Sequence, residues 1–193
     1  VIAATPNAHS DAFLLALATA LGTIRIALHV DRAPLTCAHI RDLVEAGAFE
    51  DASFYRATRP DDRTEPPMTI DVIQGGIGWE RCEKLSSVAH EPTSHTGLSH
   101  VDGAVSIGRW ADRGGTSELF ICIGDQTSLD ARPGSDPFAA GFAVFGQVVE
   151  GMDIVRAIHA LPCDASPPAG HERFAGQFLT NAVRFQPSMT MVE

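Results

Sequence analysis

Between Thr23 and Val30 the chain alternates with a period of two. Ile24, Ile26, Leu28 and Val30 are separated by Thr23, Arg25, Ala27 and His29. Successive side chains of a strand point to opposite faces, so the pattern predicts a strand with one face in a core and the other in water. Ahead of it, AFLLALATALG holds the longest apolar run, Ala12 to Ala18. That run is too short for a membrane span, which needs about 20 apolar residues. It lacks the basic flank of a secretory leader and is read as a core strand. After the turn Asp31-Arg32-Ala33-Pro34, the spacing of Ile40, Leu43 and Val44 predicts a helix over Thr36 to Ala46, with Thr36 as N-cap and Gly47 as stop. A second helix follows Gly151, where Met152, Val155 and Ile158 recur at helical spacing ahead of Pro162.

Short strands are expected around Phe54, Ile70 to Gln74, Ala104 to Ile107, Leu119 to Ile123 and Ala143 to Val149, with a closing strand near Asn181 to Phe185. Many short strands and two separated helices predict a mainly β fold, a closed antiparallel barrel capped at its ends, because closure removes edges that invite aggregation. One domain is expected over 13–187, with a flexible N-terminus at 1–12 and a tail at 188–193. The Pro- and Ala-rich stretch 161–170 reads as a loop. A chain of 193 residues, 45% hydrophobic and 20% charged, is long enough to bury such a core.

Charge and cysteine usage narrow the function. A formal net charge of -10, with 14 scattered Lys and Arg, argues against a nucleic-acid partner. No membrane association is expected, and a monomer is the default. Cys37, Cys82, Cys122 and Cys163 contain no CxxC pair, so neither a zinc site nor a redox motif is expected, while disulfide pairing among the four stays open. Cys122, inside ELFICIG, reads as a small buried hydrophobe. The start at Val1 leaves both a periplasmic or secreted location, after removal of a leader, and a cytoplasmic one open.

The candidate chemistry lies in FYR at Phe54 to Arg56, VIQGG at Val72 to Gly76 and TSELFI at Thr116 to Ile121. On strands, Phe54 shares a face with Arg56, Val72 with Gln74, and Glu118 with Phe120. An arginine, an amide and a ring converging outside a sheet have no packing role, since a guanidinium is rarely buried without a partner. The expected use is binding. These segments, followed by GFAVFGQVVEGMDIVRAI at Gly141 to Ile158, resemble the cyclophilins, a family of peptidyl-prolyl cis-trans isomerases, over about Gly22 to Ile158.

The resemblance implies an eight-stranded barrel that speeds rotation about Xaa-Pro bonds in peptides and folding proteins, without metal or other cofactor. It implies that Arg56 is the catalytic arginine, that Phe120 floors a proline pocket, and that Gln74 binds the substrate backbone and supports Arg56. It places Phe54, Val72, Glu118, Leu129 and Phe142 around the substrate, and gives Gly108, Arg109 and Trp110 a backbone-pairing role. Several positions depart from the family pattern. Asp71 and Val72 replace an aromatic-sulfur pair and make the rim more acidic, and Glu118 replaces a glutamine and is expected within reach of Arg56. Ser128 replaces an aromatic residue linked to cyclosporin binding, so weak cyclosporin affinity is expected. The connections 59–68 and 126–141 are longer than usual.

His90, His95 and His100, with Glu91, raise a metal site, but a spacing of five fits neither a helix face nor a tight ligand loop. No GxSxG elbow marks a hydrolase, and Gly75, Gly76 and Gly78 lack the βαβ setting of a dinucleotide loop. The alternative from another class is a cyclophilin-like proline-peptide binding module with little turnover, motivated by Asp71, Glu118 and Ser128.

Overall fold

The apolar face of the Thr23–Val30 region closes against seven other strands. The computed structural model describes residues 12–61 and 69–192. Most of the expected N-terminus, at 1–11, and residues 62–68 of the first long connection lie outside the described residues, as does Glu193. The strands are β1 (Ala12–Thr19), β2 (Gly22–Leu28), β3 (Ser53–Thr58), β4 (Val72–Gly76), β5 (Ala104–Arg109), β6 (Gly115–Cys122), β7 (Ala143–Glu150) and β8 (Phe178–Val192). They form a closed antiparallel barrel in the order β1-β2-β7-β5-β6-β4-β3-β8, with β8 returning to pair with β1. The helices are α1 (Pro34–Glu45), α2 (Trp79–Cys82), α3 (Thr93–Thr96) and α4 (Met152–His159). The expected pair, α1 and α4, is thus joined by two single-turn helices too short to show a periodicity.

Three expectations are corrected. Helix α1 begins at Pro34 with Ala33 as its N-cap, because proline suits a first turn that needs no N–H partner. Thr36 is therefore inside the helix. The free N–H groups of Leu35 and Thr36 donate to Glu91 at 3.1 and 2.8 Å, and the Thr36 hydroxyl donates to the same carboxylate at 2.7 Å. A distant anion does the work expected of a local cap. Secondly, residues 188–192, expected as a tail, belong to β8, where Ser188 lies opposite Ala16 and Thr190 opposite Leu14. Ser188, Met189, Thr190 and Met191 do alternate polar with apolar, and Met189 packs on the core, but a run of four at the end of the chain is too short to distinguish a strand from a tail by pattern alone.

The third correction concerns β3, whose register slips between Phe54 and Arg56 against both neighbours, β4 and β8. A bulge of this kind re-aims side chains. Phe54 turns inward, fully buried against Phe185 at 4.9 Å between ring centroids, and Ala57 also faces the core. Tyr55 and Arg56 are left together on the outside. Phe54 is therefore core, and truncating it to Ala should cost about 3–5 kcal/mol of stability.

Two apolar clusters follow from strand alternation. Ile73, Leu119, Ile121 and Phe145 join Ile24 and Ile26 inside the barrel. Their neighbours Val72, Phe120, Cys122 and Val144 form a second cluster with Ala104, against which Leu98, Leu129 and Phe142 pack. Strands β4, β6 and β7 are thus covered on both faces here, and every residue of β6 is buried. The outer cover is the floor on which the site is built.

Candidate active site

Arg56 leaves the barrel at the bulge, and its guanidinium is held on two edges. Nη1 donates to Gln74 Oε1 at 2.6 Å, and Nε donates to Gln177 Oε1 at 2.8 Å. Nη2 donates to the same Gln177 oxygen. Phe174 covers one face of the guanidinium, with its ring centroid 4.6 Å from Cζ. Burial lowers the Arg56 pKa to about 10, which leaves it charged at neutral pH.

A polar chain runs on from Gln74. Its Nε2 donates to the Tyr55 hydroxyl at 3.2 Å, and that hydroxyl donates to Glu118 Oε2 at 2.5 Å. The other Glu118 oxygen accepts the Gly78 N–H at 3.1 Å. Glu118, expected within reach of Arg56, makes no ion pair with it. Glu118 instead clamps Tyr55 and the turn after β4, and Arg56 takes the two glutamines as partners. Gly76 has to be glycine: its φ is 156°, and a Cβ there would lie 2.3 Å from Glu118 Oε1. Burial raises the Glu118 pKa, against hydrogen bonds from Tyr55, Gly78, Ile77 and Ser117 that favour the anion. Tyr55 is pushed well above its ordinary value by burial and by the Glu118 charge. It stays a phenol and a donor.

Beside Arg56 opens a cleft of about 530 Å³. Of the sequence-predicted residues, Arg56, Val72, Gln74, Gly108, Arg109, Trp110, Glu118, Phe120, Leu129 and Phe142 all line it, and Phe54 does not. Phe120 meets Phe142 edge to face at 5.4 Å between centroids, the geometry that ring quadrupoles favour. Leu129 completes this apolar end, and its carbonyl accepts the Phe142 N–H at 3.1 Å. Arg109, for which a backbone role was expected, engages its side chain as well. Its side chain donates to the carbonyls of Gly141, Trp110 and Pro137 at 2.7, 3.0 and 3.0 Å, and it lies over Phe138 and Phe142 at 5.2 and 5.7 Å. The long 126–141 connection is thereby tied to the cleft and contributes Phe138 to its rim.

The departures land differently than their sequence positions imply. Asp71 turns to His159, with Oδ1 2.6 Å from Nε2; its neighbours Ile70 and Val72 line the cleft, so Asp71 does not acidify the rim. Ser128 is exposed beside Leu129. Of the three histidines, His90 bonds the Ala140 carbonyl at 3.0 Å. His100 is fully buried between Asp130 (Nδ1 to Oδ1, 2.6 Å) and Ser106 (Nε2 to Oγ, 3.1 Å). That line has the order of a hydrolytic triad, yet Ser106 is fully buried and cannot meet a substrate. Its evident work is support: the His100 ring stacks on Phe120 at 5.8 Å and 9°. Among the described residues no three His, Cys, Asp or Glu side chains converge to hold a metal ion.

Sequence reasoning missed Tyr55, Trp79, His171, Phe174 and Gln177. Tyr55 was hidden by the bulge, since strict alternation puts it opposite Arg56. The others come mainly from the segment between α4 and β8, which carries no motif. Trp79 is the hub of this group, with ring centroids of His171, Phe174 and Phe178 at 4.3, 5.5 and 5.4 Å from its own.

A closed antiparallel β-barrel carries an apolar pocket and a positioned guanidinium in one external cleft. A family model described as cyclophilin type peptidyl-prolyl cis-trans isomerase/CLD matches residues 14–174, and the chain belongs to this enzyme family. Peptidyl-prolyl cis-trans isomerase A of Dickeya dadantii is 29% identical over 157 residues, covering 81% of this chain and 73% of that protein. The peptidyl-prolyl cis-trans isomerase of Acinetobacter baylyi is 28% identical over 152 residues, covering 77% and 73%. In fold, the chain is similar to the crystal structure of a Cryptosporidium parvum cyclophilin type peptidyl-prolyl cis-trans isomerase, with a TM-score of 0.67 and 14% identity over 94% of this chain and 98% of that one. The same protein is known in the presence of the dipeptide Ala-Pro, at a TM-score of 0.66 and 14% identity over 93% and 99%.

Proposed function

We propose that this chain accelerates cis-trans rotation about Xaa-Pro bonds in peptides and folding proteins, with Arg56 as the catalytic residue. The observation that carries the reading is a charged, positioned guanidinium sharing a cleft with the apolar pocket of Phe120, Leu129 and Phe142. Rotation is slow because the amide C–N bond has partial double-bond character, with a barrier of roughly 18–20 kcal/mol. A donor that reaches the prolyl nitrogen as it pyramidalises draws the lone pair out of resonance. The pocket holds the proline ring while the preceding carbonyl swings. Arg suits this task because its charge is fixed and its planar fork lets some N–H groups bind protein while others meet substrate.

The binding-module alternative loses two of its three motives, since Glu118 is spent on Tyr55 and Asp71 lies beside His159, off the cleft lining. The deciding experiment is NMR exchange on a short Xaa-Pro peptide, with wild type and Arg56→Ala at equal concentration. Exchange broadening with wild type alone is expected. A folded wild type that binds the peptide without accelerating exchange would establish the binding module instead.

A further inference from the structure

The guanidinium of Arg56 has five N–H donors, and three of them are taken within the protein: one by Gln74 and two by a single oxygen of Gln177. Gln74 belongs to the VIQGG motif. Gln177 lies beyond residues 14–174, the extent of the family match, and reaches Arg56 across 121 positions of sequence. Its backbone is fixed at both ends. The Gln177 N–H donates to the Phe174 carbonyl at 3.2 Å, and its carbonyl accepts the Ala57 N–H at 2.8 Å. Beneath this segment, Phe174 and Phe178 are packed against Trp79. The amide is therefore presented from an anchored segment.

We propose that Gln177 is a positioning residue for the isomerase reaction: by accepting from Nε and Nη2 of Arg56, with Phe174 against one face, it fixes the orientation in which the remaining donors meet the substrate amide. This rests on the proposed function. Gln177 does not line the cleft, whereas Arg56 and Phe174 do, so the amide acts through the arginine and not on the substrate. An unheld arginine side chain samples many rotamers, and that freedom is lost when it is ordered. Holding it before substrate arrives moves that cost out of the reaction step. Gln74 alone would leave the guanidinium free to swing about the Nη1 contact. The second amide on the opposite edge removes that freedom. Because the geometry concerns orientation in the twisted state more than ground-state binding, its loss should appear in kcat rather than KM.

The test compares wild type, Gln177→Met and Gln177→Glu, each checked for native unfolding temperature. Met keeps the side-chain length without the acceptor, and Glu restores an acceptor. With a proline tetrapeptide, Gln177→Met should lower kcat by about ten- to hundredfold, the scale of a misplaced catalytic group, with KM within about twofold. Gln177→Glu should recover part of the loss. In 15N spectra, the Arg56 Nε–H signal should be protected from solvent exchange in wild type and lose protection in Gln177→Met. An active wild type matched by an equally active, folded Gln177→Met would overturn the positioning role. A faster Gln177→Met would overturn it too, showing an amide that withholds donors. An inactive wild type would defeat the isomerase reading itself, and the inference with it.

Discussion

The Tyr55 hydroxyl donates to Glu118 Oε2 at 2.5 Å, and this bond, more than any contact of Glu118 with Arg56, explains the acidic residue in the third motif. Tyr55 also receives Gln74 Nε2, so Glu118 steers Arg56 at third hand. Tyr55→Phe should lower kcat by about fivefold, the rate equivalent of one net hydrogen bond of about 1 kcal/mol. Glu118→Gln keeps an acceptor for Tyr55 and Gly78 and should retain most activity. A collapse of rate in Glu118→Gln with wild-type behaviour in Tyr55→Phe would contradict this order of support.

The same carboxyl has a signature in stability. Burial raises its pKa in the folded protein, so the unfolded chain releases this proton first as pH rises. Between the ordinary glutamate value near 4.3 and the folded value, the folded state binds more protons, and stability from this group falls with rising pH. Glu118→Gln should therefore gain stability relative to wild type as pH increases through that window. Urea unfolding of both proteins at pH 4 and pH 7 reads it, and a constant difference would refute it.

Burial also lowers the pKa of His29, His90 and His100, and among these His100 is fully buried. The sign is opposite. Below the ordinary histidine value near 6.5, the unfolded chain takes up protons that the folded state resists, so stability is lost as pH falls toward the folded values. His100→Asn should flatten this decline, and because His100 stacks on Phe120 it should also loosen the pocket. Identical pH dependence in variant and wild type would remove His100 from the account.

The barrel was legible because its strands carry local patterns: alternation at residues 23–30 and the helical repeat of Met152, Val155 and Ile158. The three motifs likewise marked Arg56, Gln74 and Phe120, which the structure brings to one cleft. What stayed hidden was non-local or irregular. A single slipped register moved Phe54 into the core and brought Tyr55 to Arg56, and no composition signals a bulge between two aromatics and an arginine. Gln177 and Phe174 meet Arg56 only through closure of the chain by β8. The pairing of Glu118 with Tyr55 rather than Arg56 was hidden too, because alternation gives the face of a side chain but not its partner.

The apolar end of the cleft separates binding from chemistry. Phe142 meets Phe120 edge on and stacks near Phe138, at 6.0 Å and 21°, while Phe138 itself is 41% exposed. Phe142→Ala removes a wall that serves ground and transition states alike. It should raise KM about tenfold, equivalent to about 1.4 kcal/mol of apolar contact, with little change in kcat. Phe138→Ala should raise KM less. A fall in kcat at unchanged KM would mean that Phe142 acts in the chemical step.

Ser128 sits on the turn Thr127–Leu129 and is exposed, one residue before Leu129 of the pocket. It offers a hydroxymethyl group where family resemblance places a ring, and a ring buries far more apolar area against a large hydrophobic ligand. Cyclosporin should therefore inhibit wild type only weakly. Ser128→Trp should tighten inhibition by about tenfold or more, since a gain of about 1.4 kcal/mol is a modest share of the burial an indole provides. The variant should leave the rate on a short proline peptide nearly unchanged, because Ser128 does not line the cleft proposed to hold the proline. Titration of both proteins with cyclosporin in the isomerase assay decides it: tight inhibition of wild type, or no gain in Ser128→Trp, would show that this position does not set the affinity.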